Sequence, residues 1–173
     1  MKTNEVIDAI LSRRSTRAFS DKPISREDLE TIVTCGQWAP SANNRQEWTF
    51  VVVTNTENIQ ALAQLIGKEL GNDAYNMYKP AALVLVAHQK DAPFGREDDA
   101  CALENMFLAA ESLGIGSVWL NQLRGICDAP AIRAQLSDWG VPEDYEIYGV
   151  AALGHTAKEA KPHERKSNVL WID

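Results

Sequence analysis

The chemistry-bearing residues of this 173-residue chain are densest between Leu11 and Phe19, which reads Leu-Ser-Arg-Arg-Ser-Thr-Arg-Ala-Phe. Arg13, Arg14 and Arg17 offer planar forks of donors that engage an oxyanion bidentately, and Ser15 and Thr16 can add short hydroxyl contacts. One chemistry for such a group is a phosphate grip. Another needs no ligand, since cations are favourable at the negative pole of a helix that ends among them. These residues alone leave both open. A second polar stretch, Trp38-Ala-Pro-Ser-Ala-Asn-Asn-Arg-Gln-Glu-Trp48, is framed by tryptophans, and Pro40 stops the helix ahead of it. Asn43 and Asn44 suit a turn in any protein.

The remaining reactive groups point to plainer roles. Cys35, Cys101 and Cys127 are widely spaced with no Cys-x-x-Cys, which argues against a disulfide framework or structural zinc and for a cytoplasmic protein. Cys101 and Cys127 have no neighbouring histidine, so a nucleophilic thiol is not expected. His88, His155 and His163 show no metal-ligand spacing. Asp98 and Asp99 read as favourable charges at the start of a long helix. Trp38, Trp48 and Trp119 read as core aromatics, with shielding of a planar ligand as the alternative. No G-x-G-x-x-G follows a strand around Gly114–Gly116, which rejects a dinucleotide-binding Rossmann domain. The net charge of -7 excludes nucleic acid as a general partner, and no apolar run reaches membrane-spanning length.

These residues need elements to position them. Val6, Ile7, Ile10 and Leu11 repeat as one helical face, capped by Thr3 or Asn4 and ending near Arg13 or Arg14. A second helix opens on Ser25 as N-cap, Asp28 at the capping-box position and Ile24 against Leu29 as the staple, with Leu29, Ile32, Val33 and Gly36 facing inward. Thr49–Val53, Ala82–Ala87, Gly116–Asn121 and Ile147–Gly154 read as strands. Helical faces run through Ile59, Leu62, Ala63 and Ile66, and through Leu103, Met106, Phe107, Ala110 and Leu113 with Gly114 as C-cap; a short helix spans Pro130 to Leu136. Asp91 to Arg96 reads as a loop. The result is one domain over residues 1–173, with 155–173 as a charged C-terminal extension. That extension is either a loosely docked end or a strap around a partner subunit anchored by Trp171.

Four segments, in order, resemble the nitroreductase family of FMN-dependent oxidoreductases. They are Arg13–Phe19 with Pro23-Ile24; Ala39–Trp48 leading into a strand; Asp99–Ser117 with Asn105, Leu108-Ala109-Ala110 and Trp119; and Leu153-Gly154-His155 with Arg165 beyond. The resemblance implies a mainly antiparallel central sheet with helices on both faces, and a homodimer with two FMN sites at its interface. By position Arg13 and Ser15 resemble the phosphate and ribityl contacts, with Arg14 beside them and Arg17 at the pyrimidine edge. A fixed guanidinium there favours the negative charge of reduced flavin, so Arg17 is electrostatic support and no residue is a general acid or base. Pro40, Ser41, Ala42 and Asn43, with Gln46 at the loop exit, would come from the other subunit. Leu120, Asn121 and Gln122 would pass the isoalloxazine ring, and Arg165, with Lys166 or His163, would close the phosphate end.

The chain departs from the family where Glu47 replaces a frequent proline and where Asn121-Gln122 replaces an acidic residue and a glycine. It is also short between Ile66 and Pro80 and between His88 and Asp99, which predicts a small, open substrate pocket. The implied activity passes hydride from NAD(P)H through flavin N5 to a small acceptor such as a nitroaromatic or quinone. The alternatives are a flavin enzyme of the same fold that does not use NAD(P)H, of dehydrogenase or dehalogenase type, and a non-catalytic flavin-binding module.

Overall fold

The computed structural model describes residues 2–158 and 164–172. The elements run α1 (Glu5–Ser12), α2 (Arg26–Gln37), a 3-10 turn (Ala42–Asn44), β1 (Trp48–Val53), α3 (Thr56–Glu69), β2 (Ala82–Gln89), α4 (Gly95–Ser112), β3 (Gly116–Leu120), α5 (Pro130–Asp138) and β4 (Tyr145–Gly154). The four strands form one sheet in the order β1-β2-β4-β3, and every ladder is antiparallel.

β2 is central and buried from Ala82 to His88, as an unbroken apolar run requires. Its side chains alternate between two cores: Leu83, Leu85 and Ala87 face α3 and α5, while Ala82, Val84 and Val86 face α2 and α4. Helices on both faces therefore follow from the strand period. One irregularity breaks the ladder between β2 and β4, where Val86 pairs with Gly149 but Ala87 pairs with Ile147, leaving Tyr148 as the extra residue of a bulge.

The α2 cap forms as its residues dictate: Ser25 Oγ accepts from the Asp28 N–H at 3.0 Å, a contact worth about 1 kcal/mol. Gly36 lets α2 press on α4, since a Cβ there would lie 2.8 Å from Met106 Cγ. Elsewhere the structure differs from the sequence pattern. α4 begins at Gly95, inside the stretch read as loop, and ends at Ser112, so Leu113 is exposed and Gly114 (φ +69) carries the reversal. Trp38 is not core but 82% exposed, and no residue of α1 is buried. An apolar helix face thus lies on the protomer surface.

Candidate functional site

Arg13 is the C-cap of α1, where the helix gives way to extended backbone. Ser15 bridges Ser117 of β3 in parallel, and the Thr16 N–H donates to the Ser117 carbonyl at 2.8 Å. Side chains alternate in such a segment. Thr16 turns inward and is buried, while Arg13 and Ser15 are half-buried and Arg17 is exposed. Arg13, Ser15 and Arg17 therefore present two guanidinium groups and a hydroxyl on one face. The Arg13 guanidinium lies 3.7 Å from Glu104 of α4. Arg14 behaves differently. Its Nη1 turns back to the carbonyls of Leu11, Ser12 and Arg13 at 2.7–2.9 Å and closes the negative end of α1, the ligand-free role open to this cluster. Arg14 also borders a cavity of about 340 Å³ with Thr16, Gly116 and Thr156. Gly116 is required by the closeness of this packing, because a Cβ would sit 2.7 Å from Thr16 Oγ1 and 2.6 Å from Thr156 Oγ1.

At the far end of β3, Leu120 is buried, Asn121 is exposed and Gln122 turns its Oε1 to the Asn121 N–H at 3.0 Å. The second loop sits at the opposite edge of the sheet. Asn43 and Asn44, within the 3-10 turn, and Gln46 take left-handed φ of 52°, 55° and 54°. The Ala42 N–H donates to Asp98 Oδ1 at 2.9 Å, and the Gln46 N–H donates to Ser41 Oγ at 3.1 Å. Pro40 is exposed beside them. Glu47, at the position of the missing proline, lies 3.6 Å from Arg45. The structure thus brings Arg13, Ser15 and Arg17 together along the β3 edge with Leu120–Gln122 further along it, and holds Pro40–Gln46 at the β1 edge. Three strand spacings, about 14 Å, separate the two edges. Arg165 is exposed in the C-terminal segment, and His163 lies outside the described residues.

One group escaped the sequence reading. Asp99 is a buried partner rather than a solvated helix-start charge: its Oδ2 lies 2.7 Å from His88 Nδ1, and Glu146 Oε1 lies 3.2 Å from His88 Nε2. Burial pulls the His88 pKa down, but the hydrogen bonds and charges of Asp99 and Glu146 outweigh it and the pKa is raised. Burial pushes the Asp99 carboxyl up to about 6. The available signal was a histidine closing an unbroken apolar strand, a position that demands a polar partner.

The sequence model of the nitroreductase family matches residues 10–74 and 70–155. The chain belongs to the nitroreductase family. An FMN-bound nitroreductase from Bacteroides fragilis has the same fold, with a TM-score of 0.90 and 37% identity over 99% of this chain and 100% of that one. A relative from Archaeoglobus fulgidus, provisionally named NADH dehydrogenase/NAD(P)H nitroreductase, is 36% identical over 92% of this chain and 90% of its own. The NADPH-flavin oxidoreductase of Vibrio harveyi is 32% identical over 98% of this chain and 78% of its own. No helix among the described residues is long and apolar enough to cross a membrane.

Proposed function

We propose that this nitroreductase-family protein is an FMN-dependent NAD(P)H oxidoreductase working as a homodimer, with each flavin held between one protomer's β3 edge and its partner's β1-edge loop. The observation that carries the reading is the shared face of Arg13, Ser15 and Arg17. Its donor set suits a phosphate with a ribityl chain beside it and charge at the far end. Arg13 and Ser15 bind the phosphate end, Arg17 stabilises negative charge on the pyrimidine edge, and Leu120–Gln122 lie against the ring. Bound FMN supplies the redox chemistry, taking hydride at N5 from NAD(P)H and passing it to a small acceptor such as a nitroaromatic or quinone. The protein's part is to bind, orient and polarise.

The dimer is supported by what one protomer leaves uncovered. Val6, Ile10 and Leu11 of α1 are 65%, 49% and 48% exposed, next to a groove of about 450 Å³ lined by Val6, Ala9, Cys35, Trp38, Leu108 and Ala109. Apolar area of this kind marks a protein interface. The Pro40–Asn43 loop leads into β1, at the sheet edge opposite the β3 edge that Ser15 bridges, so a second copy is the natural source of the turn that packs on the same flavin. The exposed run Val169–Ile172 suits a strap across that partner, with Trp171 as its anchor and Arg165 carried to the phosphate end.

The purified protein is expected to be yellow and to bleach when NADH or NADPH is added without oxygen. A yellow protein that does not bleach would move the reading to a flavin enzyme with another donor or to a binding role. A colourless protein that FMN fails to reconstitute would overturn it.

A further inference from the structure

We propose that His88 is a positioning residue for the flavin site: held as an imidazolium between Asp99 and Glu146, it fixes the N-terminal turn of α4 and, through it, the Ser41–Asn44 turn. The inference rests on the reading above, in which that turn packs on the neighbouring subunit's flavin.

The first argument is proton counting. A neutral imidazole has one N–H and one bare nitrogen, and a carboxylate can only accept. His88 faces carboxylates with both nitrogens, Asp99 at 2.7 Å and Glu146 at 3.2 Å. With both carboxyls ionised, each contact is satisfied only if both nitrogens carry protons. Bulk solvent reaches neither partner, because His88 is 2% exposed and Asp99 is fully buried. Among the described residues no group hydrogen-bonds the other Asp99 oxygen, Oδ1, which is buried, and the charge on His88 offsets part of the cost of burying this carboxylate.

The second argument is mechanical. The imidazole ring is clamped from a third side by Gly95, the first residue of α4, where a Cβ would lie 2.2 Å from His88 Cδ2. The loop is tied to this cluster at both ends. Ala42 donates to Asp98, the residue before Asp99, and Trp48 is the ladder partner of His88 across β1 and β2. Ala42, Arg45, Glu47 and Trp48 also wall a void of about 10 Å³, room for one water, with His88, Asp98 and Asp99. Between its two anchors the chain takes left-handed backbone at Asn43, Asn44 and Gln46, which persists only where the surroundings hold it.

The charged groups around His88 are Arg96, Asp98 and Asp99 from α4, Glu146 from β4, and Arg45 and Glu47 from the chain entering β1. Arg96 lies 3.2 Å from Glu146, so it opposes the pull of that carboxylate on the imidazolium without separating them. The upper limit of the clamp is reached when His88 loses its proton, above its ordinary value of 6.5.

The test uses full-length protein with ¹⁵N-labelled histidine, the His88 signals being assigned by their loss in His88→Gln. Both ring nitrogens are expected to be protonated at neutral pH; a neutral His88 signature overturns the proposal. FMN titrations of the apo-protein from about pH 6 to about pH 9 supply the functional readout. Wild-type affinity is expected to fall as His88 deprotonates. His88→Gln should bind FMN about tenfold more weakly, near 1.4 kcal/mol, with a flattened profile. Should that variant fail to fold, Glu146→Gln at a partly exposed position carries the test: it should move the fall in affinity to lower pH. An unchanged profile in Glu146→Gln, alongside weakened FMN binding in Arg13→Ala, overturns the positioning role alone. Unchanged affinity in both variants overturns the flavin site and this proposal together.

Discussion

The two edges of the sheet solve the same problem, holding polar side chains for a ligand, by opposite means. At the β3 edge, Arg13, Ser15 and Arg17 stand on extended backbone, half-buried at Arg13 and Ser15 and exposed at Arg17, and the Arg13–Glu104 pair joins side chains 24% and 53% exposed. At the β1 edge, the Pro40–Gln46 loop is tied through Ala42 to Asp98, next to His88 and Asp99, both almost wholly buried. Exposed charges in high dielectric contribute little to folding and are free to serve a ligand. Buried ones are costly to disturb and serve to hold backbone. The β3 edge is therefore built to bind and the β1 edge to stay in place.

That contrast orders what substitutions should do. Asp99→Asn removes one member of a buried pair and should cost about 3–5 kcal/mol of stability by chemical denaturation; a loss under about 1 kcal/mol would mean that the cluster is not a clamp. Gly95→Ala forces a methyl against the pinned His88 ring and is expected to cost about 1–3 kcal/mol, read as a lowered Tm with FMN absent. Arg13→Ala should leave the fold intact yet weaken FMN retention about 10- to 100-fold, the value of a charged hydrogen bond. At the small end, Glu104→Gln breaks only an exposed pair and should change stability by less than about 1 kcal/mol.

pH separates the edges as well. The folded-state pKa of His88 is raised above its unfolded value, so its stabilisation is fully present below about 6.5 and is lost as pH rises through the raised value. Thermal stability should fall on the alkaline side of neutrality in the wild type and more gently in His88→Gln. Equal slopes in the two proteins would place the pH dependence elsewhere in the molecule.

Much of the positioning framework was legible because it is written in local patterns. The Ser25–Asp28 cap, the period-3.6 stripe Leu103–Ala110 and the apolar run Ala82–Ala87 each encode an element within one stretch of chain, and each forms. The Arg13–Arg17 cluster was visible too, but its division of labour was not. Residue types allow either a phosphate grip or a helix cap, and the geometry gives the cap to Arg14 and leaves Arg13, Ser15 and Arg17 sharing a face.

What the amino-acid sequence determined by itself, then, is which segments are helix and strand and which polar residues cluster along the chain, while the start of α4 at Gly95 fell inside a stretch that reads as loop. The tertiary structure decided which of those residues meet. Asp99 carries the same local signature as Asp98, yet one caps a loop and the other is buried on His88, because α4 crosses β2 at that turn. Trp38 and the α1 face have the composition of a core but lie on the surface, because the sheet directs α2 and α4 against each other first. Spacing along a chain fixes the period of an element, whereas partners across elements depend on register and packing angle, which no single stretch contains.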